Sequence, residues 1–269
     1  MKMKYLCIGT GAAALLIAPA FADDHDDEEI PWDVAEVFFE LNNTDGDLGI
    51  HALVDGGPWK RMQIEDADGR TILNVHARGR LRRQGMTEIF FESAEPTFDE
   101  LAPEQFFNRF PEGTYEVEGQ TLDGEELENE TEITHAMPAP PAPTVNGVAA
   151  AMQCDDEEPG YDAPVIEADE YVIAWPEVAL THPSLGYPQS SSDITIVNYE
   201  VVVEVELETP DGEEFTTVFS VILPPDVTAM TIPEEFLEQS DSFKYEVLAR
   251  EESWNQTAIE SCFLTEVDD

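Results

Sequence analysis

The stretch that decides the fold is Ile196–Glu208, whose sequence reads IVNYEVVVEVELE. Apolar residues alternate with glutamates along most of its length. Successive side chains of a β-strand point to opposite faces of the sheet, so a period of two predicts a half-buried strand. The apolar face consists of Tyr199, Val201, Val203, Val205 and Leu207, and the acidic face of Glu200, Glu204, Glu206 and Glu208, with Val202 as the exception.

Strand-like runs of the same kind fill both halves of the chain. The dipeptide Asp-Gly, which supplies the positive φ angles of a tight hairpin, occurs at Asp45, Asp55, Asp68, Asp123 and Asp211. Short strands with closely spaced turns predict an all-β meander or sandwich, interrupted by helices at 98–110 and 234–237. The further predicted strands are Val34–Leu41, Met62–Glu65, Ile72–Ala77, Thr87–Phe91, Thr114–Glu118, Glu130–His135, Val172–Trp175, Phe215–Leu223 and Phe243–Ala249.

A proline-rich segment divides the chain into two parts. The run Met137-Pro-Ala-Pro-Pro-Ala-Pro143 reads as a short, stiff, extended linker. The sequence therefore predicts two tandem β-sandwich domains, one over residues 32–136 and one over residues 144–267.

The second part resembles a fibronectin type III domain over about residues 141–266. Its motifs occur in the family's order and spacing. The resemblance implies a seven-stranded β-sandwich that serves as a spacer or binding module, and it implies no reaction. One position departs from the family, since Phe243 stands where a corner tyrosine is expected. The motifs are Val172-x-x-Trp175, Ile196-x-x-Tyr199-x-Val201, Leu237, Phe243-x-Tyr245-x-Val247-x-Ala249, Asn255-Gln-Thr257 and Phe263-Leu-Thr265.

The first part resembles a bacterial immunoglobulin-like β-sandwich. The resemblance is carried by Pro111-Glu-Gly-Thr-Tyr115 before a predicted strand and by Asp123-Gly124 after it. It implies a second sandwich of the same class, joined to the fibronectin-like part.

The N-terminus has the pattern of a Sec-type signal peptide. Two lysines precede an apolar stretch that ends near Pro19, and Ala20-Phe21-Ala22 fits the small-x-small cleavage site. We expect residues 1–22 to be removed and residues 23–31 to form a disordered acidic tail. This pattern predicts a secreted or periplasmic protein without stable membrane insertion.

The charge of the chain limits its partners. Acidic residues number 59 and basic residues 12, which gives a formal net charge of −47. Such a surface repels nucleic acid and anionic membranes. We expect the partner to be another extracytoplasmic protein or a surface polymer.

Two metal sites are conceivable, although no cofactor is required. A mature N-terminus of Asp23-Asp24-His25 could bind Cu(II) or Ni(II) through its amine, two amides and the imidazole. Asn43, Asp45 and Asp47 could bind calcium weakly. Their loop lacks the glycine and glutamate of an EF-hand, so a plain turn between strands is the alternative.

Further residues could form a disulfide or an interaction surface. Cys154 and Cys262 are an even pair in an exported chain, which favours a bridge over two free thiols. A strand through Arg78, Arg80 and Arg82 would place them on one face, to bind an anionic ligand or to pair with the protein's own acids. Trp59 follows Asp55-Gly-Gly-Pro58, and Trp254 lies in a predicted loop beside Asn255. Each could bind a partner or cap the core.

Enzyme signatures are missing from the sequence. It contains no G-x-S-x-G, P-loop, H-E-x-x-H or C-x-x-C motif. We therefore expect a non-catalytic interaction or spacer protein for adhesion, matrix or envelope assembly. The alternatives are an extracytoplasmic metal-binding protein and an unrecognised hydrolase.

Overall fold

The computed structural model describes residues 30–154, 162–185 and 192–265, and most of them lie in strands. The signal peptide and the first seven residues of the predicted tail, 23–29, lie outside this part. Ile30 belongs to the fold, because its backbone nitrogen donates to the oxygen of Glu126 at 2.9 Å. Within these ranges no helix is long and apolar enough to cross a membrane.

The strands confirm the prediction of a mostly β protein. Every predicted strand lies wholly or largely within an observed one. The strands are β1 Val34–Asn42, β2 Asp47–Glu65, β3 Thr71–His76, β4 Met86–Glu92, β5 Gly113–Thr121, β6 Glu126–Ile133, β7 Thr144–Val145, β8 Val148–Ala149, β9 Val165–Ile166, β10 Val172–Ala174, β11 Ile196–Glu208, β12 Glu214–Leu223, β13 Ala229–Thr231, β14 Ser242–Glu251 and β15 Gln256–Thr265, and the helices are α1 Gly79–Gln84, α2 Pro103–Arg109 and α3 Glu234–Leu237.

One continuous sheet runs through both halves of the chain. Its strand order is β12-β11-β14-β15-β1-β2-β5-β6, with β3 and β4 added on β2 and β9 added on β15. The link between the halves is a parallel pairing of β1 with β15, which places Glu40 beside Gln256. A second sheet, β13-β10-β7-β8, covers the second half.

Strand β2 closes the first sandwich by passing from one layer to the other. Up to Asp55 it pairs with β1 and β4, and from Arg61 onwards it pairs with β3 and β5. Between them, Trp59 lies opposite both Met86 of β4 and Thr121 of β5. The predicted turn at Asp55-Gly56 is therefore wrong. Gly56 lacks the positive φ of a turn glycine, and an added Cβ would come within 2.9 Å of the Trp32 ring. Close packing, and not turn geometry, explains this glycine.

The layer change also decides between the two interpretations of Trp59, in favour of packing in the core. This side chain is fully buried, and its ring meets that of Trp32 edge to face at 5.9 Å. It therefore belongs to the core and cannot bind a partner at the surface. The fully or almost fully buried core of this half includes Val37, Phe39, Leu41, Val54, Met62, Ile64, Tyr115, Val117, Leu127 and Ile133.

The second half is a sandwich around the predicted strand at Ile196–Glu208. Tyr199, Val201, Val203 and Val205 are buried as the alternation predicted. The strands β12, β11, β14 and β15 form one layer, and β13, β10 and β7 form the other. The short strands β8 and β9 extend these layers, pairing with β7 and β15, and the fibronectin type III resemblance stays a prediction. The core includes Val145, Ile173, Trp175, Tyr199, Val201, Val203, Phe243, Val247 and Phe263.

A corner tyrosine occurs in the first half and not at the expected place in the second. The hydroxyl of Tyr115 donates to the backbone oxygen of Pro111 at 3.1 Å, which ties the start of β5 to the preceding loop. Phe243 has no hydroxyl and instead stacks on Phe263, with ring centroids 5.2 Å apart. Apolar packing replaces the hydrogen bond there.

The proline-rich segment packs against both halves. Met137 is fully buried, and its oxygen accepts a hydrogen bond from the nitrogen of His182. The oxygen of Pro138 accepts a hydrogen bond from the Thr257 hydroxyl at 2.8 Å. The segment thus has tertiary contacts that a free spacer would lack, and the division into two domains stays a prediction.

Candidate functional site

The two halves meet at the turn between β14 and β15. Asn255, at the end of this turn, is fully buried. Its side-chain oxygen accepts a hydrogen bond from the nitrogen of Phe39 at 2.9 Å. Its amide nitrogen donates to the backbone oxygens of Thr134 at 2.9 Å and Ala136 at 3.1 Å. One side chain of the second half thereby satisfies three backbone groups of the first.

Glu251 stabilises the same turn through hydrogen bonds to its backbone. This carboxylate is almost fully buried and accepts hydrogen bonds from the nitrogen of Ser253 at 3.0 Å and the nitrogen of Asn255 at 3.2 Å. The Ser253 hydroxyl donates to Oε1 of Glu251, the same oxygen that accepts the hydrogen bond from the Asn255 nitrogen. Burial raises the pKa of Glu251, and the hydrogen bonds from Ser253 and Asn255 oppose that rise.

The turn fixes Trp254 in a left-handed backbone conformation. Its φ is 72°, which is rare for a large side chain and costs conformational energy. The nitrogen of Trp254 donates to the oxygen of Glu251 at 2.9 Å, which closes the turn. Trp254 lies in the loop beside Asn255 as predicted, and it is partly exposed, whereas Trp32, Trp59 and Trp175 are buried.

Trp254 borders a groove between the two halves. The groove has a volume of about 460 Å³. The first half contributes Glu132 and Thr134, and the second half contributes Thr181, Ser192 and Asp193. The lining combines an indole ring with hydroxyls and carboxylates, which can stack on and hydrogen-bond to a ligand that carries hydroxyl groups.

A second feature of the junction is a row of carboxylates on one sheet face. Glu246 of β14 lies directly opposite Glu260 of β15. The pKa of Glu246 is raised to about 9, first by burial and then by the charges of Glu40, Glu260 and Glu200. Within the part of the chain that the structure describes, no group of three His, Cys, Asp or Glu residues is placed to hold a metal ion.

A buried histidine lies at the edge of this row. The Nε2 atom of His51 is 2.7 Å from a carboxylate oxygen of Glu95, and its Nδ1 atom is 3.6 Å from Glu40. Burial lowers the pKa of His51, but the hydrogen bond to Glu95 and the charge of Glu40 outweigh it, so the net shift is upward. Glu95 lies over Gly49, where a Cβ would come within 2.1 Å of its oxygen.

The residues proposed for calcium form the turn between β1 and β2. Asn42 pairs with Asp47 at its base, so this segment joins two antiparallel strands. The side-chain oxygen of Asn43 is 3.1 Å from the Nε2 atom of His182. Burial, followed by the charge of Glu95, raises the pKa of Asp47 to about 6. Asp45 is exposed, and calcium binding by Asn43, Asp45 and Asp47 stays a prediction.

The arginine row does not lie on a strand. Gly79 has a φ of 58°, which ends the extended chain after β3, and α1 begins there. The predicted strand through Arg78, Arg80 and Arg82 is therefore wrong. All three are exposed, and none forms an ion pair with another residue in the described ranges. Ion pairs with the protein's own acids, one of the two interpretations of these arginines, are therefore not found there.

The predicted disulfide is confirmed. Cys154 and Cys262 are bonded, with their Cα atoms 5.7 Å apart. The bridge ties the segment between β8 and β9 to β15. The predicted copper or nickel ligands Asp23, Asp24 and His25 lie outside the described residues.

Sequence reasoning missed Glu251, His51 and Glu95. Their roles depend on contacts between distant strands, and no local motif marks them. Asn255 belongs to the motif before β15, but nothing in that motif indicates its contact with Phe39, 216 residues away.

No protein family and no curated protein matches the chain. Among solved structures, the chain is similar to one from work on the host cell surface retention of a 1.5-MDa bacterial ice-binding adhesin. The sequence identity is 12% and the TM-score is 0.23, and the match covers 89% of this chain and 66% of that chain. A second similar structure is the BSP domain of a biofilm-associated protein, with 12% sequence identity to this chain and a TM-score of 0.23. The match covers 87% of this chain and 30% of that chain.

A third similar structure is trypsin-activated alpha-2-macroglobulin from Escherichia coli, with 9% sequence identity and a TM-score of 0.25. The match covers 86% of this chain and 15% of that chain. The chain spans less than two thirds of the length of each of these proteins. The TM-scores are too low to transfer a property of these proteins to this chain.

Proposed function

We propose that the protein is an exported, non-catalytic interaction protein that binds a surface polymer of neutral sugars through the groove beside Trp254. The observation that carries this proposal is the position of Trp254, which the buried Glu251 network holds partly exposed at the border of the groove. A strained backbone that its surroundings enforce is a feature of functional positions.

The chemistry of the groove favours a neutral sugar. The indole face can stack on the apolar face of a sugar ring, while serine and threonine hydroxyls bond to sugar hydroxyls. Glu132, Asp193 and Glu252 also line the groove and can accept hydrogen bonds from such a ligand. The same carboxylates, in a chain of net charge −47, disfavour an anionic polymer.

The junction supports a role as a stiff unit. The continuous sheet and the Asn255 hydrogen bonds both cross between the halves. Bending at this junction would break buried hydrogen bonds, each of which is costly to leave unmade. A groove built from both halves would therefore keep its shape, which suits binding without an ordering cost.

The test uses the protein that begins at Asp23 and soluble hexasaccharides of β-linked glucose or N-acetylglucosamine. Because the other three tryptophans are buried, acrylamide quenching reports mainly on Trp254. We expect the ligand to protect Trp254 from quenching, and Trp254→Ala to weaken binding about tenfold in calorimetry. Phe90→Ala, an exposed aromatic on β4, is the matched control and should leave the affinity unchanged.

Three results would contradict the proposal. One is the absence of binding to either sugar series at millimolar concentration. Another is equal affinity of wild type and Trp254→Ala. Release of new reducing ends would instead support the hydrolase alternative.

A metal-binding role is the alternative proposal. It rests on Asp23, Asp24 and His25 for copper or nickel, and on Asn43, Asp45 and Asp47 for calcium. Metal analysis of protein purified without chelator distinguishes it from the sugar-binding proposal, since stoichiometric metal in fresh protein would support a metal role.

A further inference from the structure

Strand β12 leaves one edge of the large sheet open. It is the terminal strand, and in the described ranges it pairs with β11 alone. The backbone groups of alternate residues along its other edge have no hydrogen-bond partner in those ranges. An edge of this kind can accept a further strand.

The edge also lacks the usual protection against strand addition. Proteins block such edges with lysine, proline, bulges or short strands. Phe215–Leu223 reads FTTVFSVIL and contains no charge and no proline, in a chain of net charge −47. Its register with β11 continues without a shift from Glu208 opposite Glu214 to Tyr199 opposite Leu223. The edge is therefore long, regular and neutral.

The two faces of β12 differ, and each favours a different kind of neighbour. The outward face carries the exposed Val218 and Ile222, with exposed fractions of 52% and 59%. The inward face carries partly buried residues that pack on the core, such as Phe219 and Val221. An added strand would continue both faces, because side chains alternate along it.

Acidic residues lie one strand behind the outward face. Glu204 is directly opposite Val218. Glu200 is opposite Ile222, but it already accepts a hydrogen bond from the Ser220 hydroxyl at 2.7 Å and lies 3.7 Å from Arg250, so Glu204 contributes most to the attraction of a basic side chain. Strands are spaced by about 4.8 Å, so a lysine or arginine on an added strand could reach across β12 to these carboxylates. Charge complementarity thus favours basic residues at alternate positions of the partner. A second copy of β12 contains no basic residue that could pair with these glutamates.

We propose that the open edge of β12 binds an extended segment of a partner protein in which basic residues alternate with apolar residues. The basic side chains lie on the outward face, over the glutamates of β11. The apolar side chains continue the inward face. This binding site is independent of the groove beside Trp254.

The experiment uses the full mature chain and a synthetic peptide in which lysine alternates with valine. Calorimetry at low salt should show binding, and hydrogen exchange should slow at backbone amides of β12. Valine-glutamate peptide should not bind. Two N-methylated peptides test backbone pairing. In one, the methyl groups replace the backbone N–H hydrogens that point towards β12, and this peptide should not bind. In the other, they replace the N–H hydrogens that point away from β12, and this peptide should still bind.

Protein variants test the location. Val218→Lys with Ile222→Lys places positive charges on the exposed face and should weaken binding of the lysine peptide by at least about tenfold. Leu81→Lys, on the exposed surface of α1, adds the same kind of charge elsewhere and serves as the control. Circular dichroism confirms that each variant is folded.

Four results would overturn the proposal. They are failure of the lysine peptide to bind, equal binding of both N-methylated peptides, unchanged affinity in the double lysine variant, and a dimer in sedimentation that this variant abolishes. The last result would identify a second copy as the occupant. None of these results bears on sugar binding in the groove, which its own variant tests.

Discussion

The side-chain oxygen of Asn255 accepts a hydrogen bond from the backbone nitrogen of Phe39 at 2.9 Å, across 216 residues of sequence. Both residues are fully buried. The contact lies beside the parallel pairing of β1 with β15. It therefore couples the folding of the two halves at the place where their sheets become one.

Replacement of Asn255 by alanine should destabilise the whole chain. The change leaves the Phe39 nitrogen and the oxygens of Thr134 and Ala136 without a partner in a buried place. We expect the free energy of unfolding to fall by about 2–4 kcal/mol. Urea denaturation measures it. Asn74→Ala, on the exposed surface of β3, should cost less than about 0.5 kcal/mol. Equal effects of both variants would show that the junction is not a major source of stability.

Removal of the disulfide should also destabilise the chain. The bond joins Cys154 to Cys262 over a sequence separation of 108 residues. A bridge over a long loop restricts the unfolded chain, so Cys154→Ser with Cys262→Ser should lower the free energy of unfolding by about 2–4 kcal/mol. Reducing agent should have the same effect on wild type and none on the double variant. Two free thiols in an Ellman assay of denatured, unreduced protein would contradict the bond.

The strands could be predicted from the sequence because their pattern is local. Alternation at Ile196–Glu208 depends only on neighbours in the chain, and four Asp-Gly turns were found by the same kind of signal. The turn predicted at Asp55-Gly56 is wrong because a glycine can either adopt a positive φ in a turn or leave room for a neighbouring side chain. Gly56 leaves room for the ring of Trp32, which lies 24 residues earlier, so no local sequence pattern indicates the contact.

The relation between the halves could not be predicted. The pairing of β1 with β15 joins the beginning of the described chain to its end, and no periodicity reports a contact of that range. The candidate site has the same limit. Trp254 was recognised from its loop, but the groove needs Thr134 and Ser192 beside it. Only the tertiary fold brings Thr134, Ser192 and Trp254 together.

Copper binding depends on the sequence of the mature N-terminus. If cleavage follows Ala22, the chain begins Asp23-Asp24-His25 and offers four nitrogens to Cu(II). We expect one equivalent of Cu(II) to give a visible d–d band that weakens as the pH falls, because two amides must lose protons. His25→Ala should remove the band, and His76→Ala should not. A band that persists in His25→Ala would rule the site out.

The carboxylate row should make the protein more stable as the pH falls from about 9. Glu246 faces Glu260 on β15, Glu200 and Glu204 on β11, and Glu40 on β1, while Lys244 lies on its own strand. Its pKa is raised from 4.5 to about 9 in the fold, first by burial and then by these charges. Between those values the folded state holds a proton that the unfolded state has released. The stabilisation is therefore complete below about pH 4.5 and is lost as the pH rises through about 9.

Glu246→Gln should remove this dependence, because glutamine is neutral at every pH. We expect the variant to be more stable than wild type at pH 8 by about 1–2 kcal/mol, since partial exposure and salt screen the repulsion. Near pH 4 the two should have equal stability. Urea denaturation across this range measures the difference, with the exposed Glu125→Gln as the control, for which we expect a small and constant change. If Glu246→Gln instead loses stability at pH 8, the carboxylate is ionised and favourably bonded, and the row is not a source of repulsion.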